Sequence, residues 1–208
     1  ANLALTLAQR GKKVLLVDAD MHKAAQYKIL GVTPQRELAD VLNGTAEYAP
    51  EYLKAYQLYG LLSRKSSGQA AELIASERMK AVLQKARGEM DIIIVDSPPI
   101  ALFSDVEALA DQADASLLVV RQDMAPAKRI NDAADLLSQC RGELLGCIFN
   151  DVRSLALPGG GGYGYGYGYG YGYGYGYGRY GYGGYGRKQK EPAAERSQTD
   201  GDSEHGRT

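Results

Sequence analysis

Cysteine is scarce in this chain: Cys140 and Cys147 are the only two in 208 residues. They have no metal-ligand spacing, and they read as two small buried residues in a reducing compartment. No apolar run approaches the ~20 residues needed to span a bilayer, and no signal peptide opens the chain. A large charge of either sign is also lacking. The formal net charge is −1, which gives no support for a nucleic-acid partner. The first residue is not methionine, and nothing caps the helical pattern of Ala1-Asn-Leu-Ala-Leu-Thr-Leu-Ala-Gln-Arg10 before its natural stop at Gly11. The chain therefore reads as a fragment that begins inside a helix.

Composition divides what is present near Leu157. Residues 1–157 carry 18 Lys+Arg and 20 Asp+Glu, a charge of −2, and are ample for one domain with one core. Residues 158–208 carry 6 and 5, a charge of +1, and hold 18 of the 26 glycines. Within 158–186, Tyr163, Tyr165, Tyr167, Tyr169, Tyr171, Tyr173, Tyr175, Tyr177, Tyr180, Tyr182 and Tyr185 mostly alternate with glycine. Alternate glycines supply no side chains to pack and raise the entropy cost of ordering, so a disordered strip of exposed phenols is expected. Such a strip suits phosphate acceptance, or cohesive self-association through stacked rings. Residues 187–208 are mixed in charge and are expected to be disordered. Tyr27, Tyr48, Tyr52, Tyr56 and Tyr59 belong to the body, where packing is their simplest role.

Four continuous apolar runs have strand length and end in polar residues. Val14-Leu-Leu-Val17 precedes Asp18-Ala-Asp20, and Ile92-Ile-Ile-Val95 precedes Asp96-Ser-Pro-Pro99. Ser116 to Val120 precedes Arg121, and Leu144 to Phe149 precedes Asn150. A further short strand is expected at 58–62. Helical patterns cover about 69–87, 105–113 and 125–140. Strands of continuous rather than alternating apolar residues, separated by helices, predict an α/β protein with a parallel, doubly wound sheet covered on both faces. Ligands bind such sheets at the carboxyl ends of the strands, where Asp18, Asp20, Asp96 and Asn150 fall. One aspartate there is commonly a helix cap or turn former. Two strands that both end in acids fit a hard cation such as Mg²⁺.

These residues carry a resemblance. Val14-Leu-Leu-Val-Asp-Ala-Asp-Met-His-Lys23 resembles the second Walker motif of the bacterial tyrosine kinases that control capsule and exopolysaccharide synthesis. Ile92 to Pro99 resembles their Walker-B motif. Ser67-Gly-Gln-Ala-Ala-Glu-Leu73, Val119-Val-Arg121 and Gly146-Cys-Ile-Phe-Asn150 are similar to further stretches, and the family ends in a tyrosine cluster. The resemblance implies a P-loop fold of the deviant-Walker type and an ATP-dependent kinase that modifies its own tyrosine tail. Asp18 is then expected to activate the tyrosyl hydroxyl. Asp18, Asp20 and Asp96 are expected to organise Mg²⁺, with Asn150 near the adenine. His22 replaces the arginine usual in the family and receives no role. A glycine-rich Walker-A loop with its lysine is expected ahead of Ala1, together with the first strand of the sheet, so the fragment alone is expected to be inactive. The implied partners are further copies of the chain, a membrane adaptor or chain-length regulator of polysaccharide export, and a tyrosine phosphatase. The implied place is the cytoplasm, at the inner face of the cell membrane, reached through an adaptor or through an N-terminal membrane segment outside this chain. A positioning-type ATPase on the same fold is the rival reading, but it leaves the tyrosine tail without a purpose.

Overall fold

The computed structural model describes residues 1–153. The tyrosine-rich and polar segments expected at 158–186 and 187–208 lie outside the described residues, as do the last four positions of the expected body. The first helix, α1 (Asn2–Gln9), stops as its sequence requires. Gly11 follows at φ +80°, a left-handed conformation that costs a residue without Cβ little.

The central strand is β1 (Val14–Asp18), buried over all five residues. It pairs in parallel with β3 (Leu58–Leu61) on one side and β4 (Ile92–Asp96) on the other. A short β2 (Glu51–Leu53) adds antiparallel to β3, giving the order β2-β3-β1-β4. The pleat divides β1 between two cores. Leu15 and Val17 join Leu38, Ile74 and Met79, contributed by α3 (Leu38–Asn43), α4 (Ala70–Ala75) and α5 (Glu77–Glu89). Val14 and Leu16 join Ala4 and Ala8 of α1, with Leu58 and Leu62. Cover on both faces is what a continuous apolar strand demands. Each fully buried leucine contributes roughly 1.5–3 kcal/mol from the area it removes from water. The expected parallel, doubly wound α/β architecture is therefore present.

Its second part differs from expectation. The strands β5 (Ala115–Arg121) and β6 (Glu143–Asn150) pair in parallel with each other, as a separate two-stranded sheet. Instead of being buried throughout, β5 alternates between exposed and half-buried residues, and β6 does so only as far as Gly146, with Cys147 to Asn150 all exposed. The reason is cover: among the described residues the helix at 127–139 is the main layer packed on these two strands, so one face of the pair stays open to solvent. Among the described residues β4 pairs only with β1, and β5 only with β6, so neither strand has neighbours on both edges. Cys147 on β6 is accordingly exposed and Cys140 half-buried, and both are free thiols; the expectation of two buried cysteines does not hold.

The helix expected over 69–87 is two helices. Ser76 adopts an extended conformation (φ −71°, ψ 154°), and its hydroxyl accepts the Met79 N–H, capping α5. A serine side chain competes with the helical ladder in this way, which periodicity cannot register. The helices α6 (Asp105–Ala110) and α7 (Ala127–Gln139) fall within their expected ranges. A four-residue α2 (Gln26–Ile29), together with α3 and β2, was not legible in the sequence. Four of the body tyrosines are half-buried, and Tyr52 is exposed. Tyr56 donates to the Leu30 carbonyl at 2.7 Å, and Tyr52 and Tyr59 form a cross-strand pair with ring centroids 5.1 Å apart. No helix among the described residues is long and apolar enough to cross a membrane.

Candidate active site

Parallel register brings the two strand-end acids together. Asp18 closes β1, Asp96 closes β4, and the two are partners in the ladder. The chain then turns over them: the Ala19 N–H donates to the Asp96 carbonyl at 2.8 Å, and the Ser63 hydroxyl donates to the Asp18 carbonyl at 2.8 Å. Asp18 is fully buried. Its Oδ2 accepts the N–H groups of Ala25 (3.3 Å) and Gln26 (3.1 Å) at the start of α2. Its Oδ1 is buried with no hydrogen-bond partner. Burial is the main force on this carboxyl and pushes it from 3.8 up to about 7. The N–H of Gln26 opposes the rise, and the charges of Asp96 and Asp20 add to it. Asp96 is raised as well, chiefly by burial.

Asp20 does something plainer. Its Oδ1 accepts the N–H groups of His22 (3.2 Å) and Lys23 (2.9 Å), closing the turn after β1. Turn formation by an Asx side chain is the ordinary use of aspartate at a strand end. His22, which the sequence left without a role, ties this turn to α6. Its Nε2 lies 3.0 Å from Oδ2 of the buried Asp105, and its ring stacks on Phe103 with centroids 3.8 Å apart.

Gln26 was also missed. It is buried, its backbone N–H serves Asp18, and its carboxamide Nε2 donates to Asp96 Oδ2 at 2.6 Å. No residue-type or spacing signal singles out a glutamine eight positions after Asp18. Asn150, by contrast, stands at the end of β6 beside Arg121, in a different sheet from the three acids, and its carbonyl accepts the Gln122 N–H at 3.1 Å.

Among the described residues no three His, Cys, Asp or Glu side chains form a group that could hold a metal ion. The buried, unpartnered Asp18 Oδ1 beside Asp96 still fits Mg²⁺, which usually takes one or two protein carboxylates and completes its shell with water and phosphate oxygens.

A family model described as an AAA domain matches residues 1–128, which include all three acids. The chain belongs to this AAA-domain family. Its relatives are the bacterial tyrosine kinases that the motifs resembled. The tyrosine-protein kinase YwqD of Bacillus subtilis (strain 168) is 34% identical over 152 residues, covering 72% of this chain and 64% of YwqD. The succinoglycan biosynthesis transport protein ExoP of Rhizobium meliloti (strain 1021) is 31% identical over 156 residues, covering 72% of this chain and 20% of ExoP. The chain thus spans less than two thirds of the first relative and a fifth of the second. Among solved structures, the kinase domain of VpsO matches with a TM-score of 0.67 and 28% identity, over 73% of this chain and 76% of that one. The septum site-determining protein MinD of Pyrococcus horikoshii OT3, complexed with Mg-ADP, matches with a TM-score of 0.58 and 24% identity, over 72% of this chain and 62% of that one. The MinD match is a likeness of fold alone.

Proposed function

We propose that the full-length protein is an ATP-dependent protein-tyrosine kinase that modifies its own C-terminal cluster, Tyr163 to Tyr185. The observation that carries this reading is the paired acid at the ends of β1 and β4, with one buried carboxylate oxygen unpartnered and Asp18 raised to about 7. A base poised near the working pH has both the unprotonated fraction and the driving force to take a proton. In this reading Asp18 Oδ1 takes the phenol proton as the phenolic oxygen bonds to the γ-phosphorus, and the bond from that phosphorus to the bridging oxygen of the departing ADP breaks. Asp96 would hold Mg²⁺ and Asp18 would reach it through the ion's water, with Asp20 completing the acidic turn after β1. When bound, the ion neutralises phosphate charge during transfer. Asn150 is proposed to lie near the adenine.

The name of ExoP, a succinoglycan biosynthesis transport protein, supports a role in exopolysaccharide synthesis and export, and we extend that reading to capsule. We assign the kinase to the cytoplasmic face of the membrane, reached through an adaptor or chain-length regulator, and reversed by a tyrosine phosphatase. Residues 158–208 carry +1. Four phosphates at about −1.5 to −2 each take that segment to roughly −5 to −7. Repulsion from a neighbouring copy's acidic site then favours dissociation of an oligomer built from unmodified chains.

The test is direct. Full-length protein incubated with ATP and Mg²⁺ should gain phosphotyrosine, mapped by mass spectrometry to 163–185, and EDTA should abolish it. ATP hydrolysis without phosphotyrosine would overturn the kinase reading in favour of a positioning-type ATPase, the use to which the MinD-like fold also lends itself.

A further inference from the structure

We infer that Gln26 is a positioning residue for the acid pair, holding Asp96 and Asp18 in one fixed arrangement. The inference rests on the proposal that these carboxylates receive Mg²⁺. One residue touches both acids: the main-chain N–H of Gln26 donates to Asp18 Oδ2 at 3.1 Å, and its side-chain Nε2 donates to Asp96 Oδ2 at 2.6 Å. An ionised carboxylate only accepts hydrogen bonds, so the N–H side of the carboxamide must face Asp96. The opposite oxygen, Gln26 Oε1, is buried with no partner, like Asp18 Oδ1. A buried acceptor left unmatched is costly, and two in one place mark a site that expects donors. Water carried by a hydrated cation supplies such donors for Gln26 Oε1 and Asp18 Oδ1 alike. Gln26 also solves an electrostatic problem. It binds one oxygen of each carboxylate with a neutral group, setting their orientation without the salt bridge that a lysine or arginine there would impose against an incoming cation.

The experiment compares Mg²⁺-dependent ADP binding to the full-length protein with that of Gln26→Met, by calorimetry at a series of Mg²⁺ concentrations. Methionine keeps the main-chain N–H and nearly the side-chain volume but removes the carboxamide. Loss of a hydrogen bond to a charged group predicts Mg²⁺ affinity about tenfold weaker, with ADP binding in EDTA unchanged. It also predicts kcat toward a synthetic tyrosine polymer about tenfold lower, at unchanged KM for that polymer. Wild-type Mg²⁺ dependence and kcat in Gln26→Met would overturn the inference while leaving the kinase reading intact. ADP binding that ignores Mg²⁺ in the wild type would overturn both. If Gln26→Met does not fold, a comparison of the wild type with Asp96→Asn decides. The Gln26 carboxamide proton resonances should move on Asp96→Asn, and fixed resonances would overturn the inference.

Discussion

The carboxyl ends of the two parallel strand pairs treat an aspartate in opposite ways. At β1–β4, Asp18 is buried, one of its oxygens has no partner, and burial drives its carboxyl up to about 7. At β5–β6, Asp151 follows the strand in the exposed position, and the hydrogen bond and charge of Arg121, 2.7 Å away, hold its carboxyl below the ordinary value. The first acid lacks a positive partner and is available to a proton or a cation; the second is already neutralised by its neighbour. The strands beneath show the same contrast. Both are continuous apolar runs, yet β1 is buried throughout and β5 alternates with solvent. The acid proposed to function therefore differs from an ordinary strand-end acid in enclosure and in the lack of an ion-pair partner like Arg121.

The sharpest way to break this comparison is to neutralise each acid in the full-length protein. Asp96→Asn and Asp18→Asn should each reduce phosphotyrosine formation by at least about a hundredfold, since phosphoryl transfer depends on placed charge. Asp151→Asn should leave the rate within about twofold. Equal losses from both ends would remove the distinction.

The strands can be compared by urea unfolding. Leu16→Ala, in the fully buried β1, should cost about 2–5 kcal/mol through lost burial and a cavity. Val119→Ala, 58% exposed on β5, should cost less than about 1 kcal/mol. His22→Ala leaves the buried Asp105 without its ring partner and should cost about 1–3 kcal/mol. Its effect on catalysis should be far smaller than that of Asp96→Asn.

A further effect concerns pH. Asp18 binds its proton more tightly in the folded protein than in the unfolded chain, where its value is near 3.8. The folded state therefore holds more protons between about pH 4 and 7, and stability falls as pH rises through that window. Urea midpoints measured without nucleotide should decline from pH 5 to 7.5, and Asp18→Asn should flatten the decline. Asp151 has the opposite sign, with stability lost as pH falls, and its exposure makes that contribution too small to shift the midpoint measurably.

Much of this molecule was legible in its residues. Continuous apolar runs ending in acids were sufficient for parallel strands, for helices between them, and for the placement of Asp18 and Asp96 at one end of the sheet. The mature pattern of motifs was sufficient for kinship with the bacterial tyrosine kinases. These properties are local or periodic, so the order of residues expresses them directly. Other properties depended on what the fold brings near. Asp20 became a turn former because the N–H groups of His22 and Lys23 curl onto it. His22 gained a role because Asp105, 83 residues away, lies beneath its ring nitrogen. Gln26 became the link between two acids, one of them 70 residues distant. The break at Ser76 and the exposure of β5 and β6 likewise arose from a competing side-chain bond and from a strand pair covered mainly on one face. Sequence patterns record which face of an element is apolar. Hydrogen-bond partners, burial and the resulting pKa values belong to pairs of residues distant along the chain, and only tertiary structure brings those pairs together.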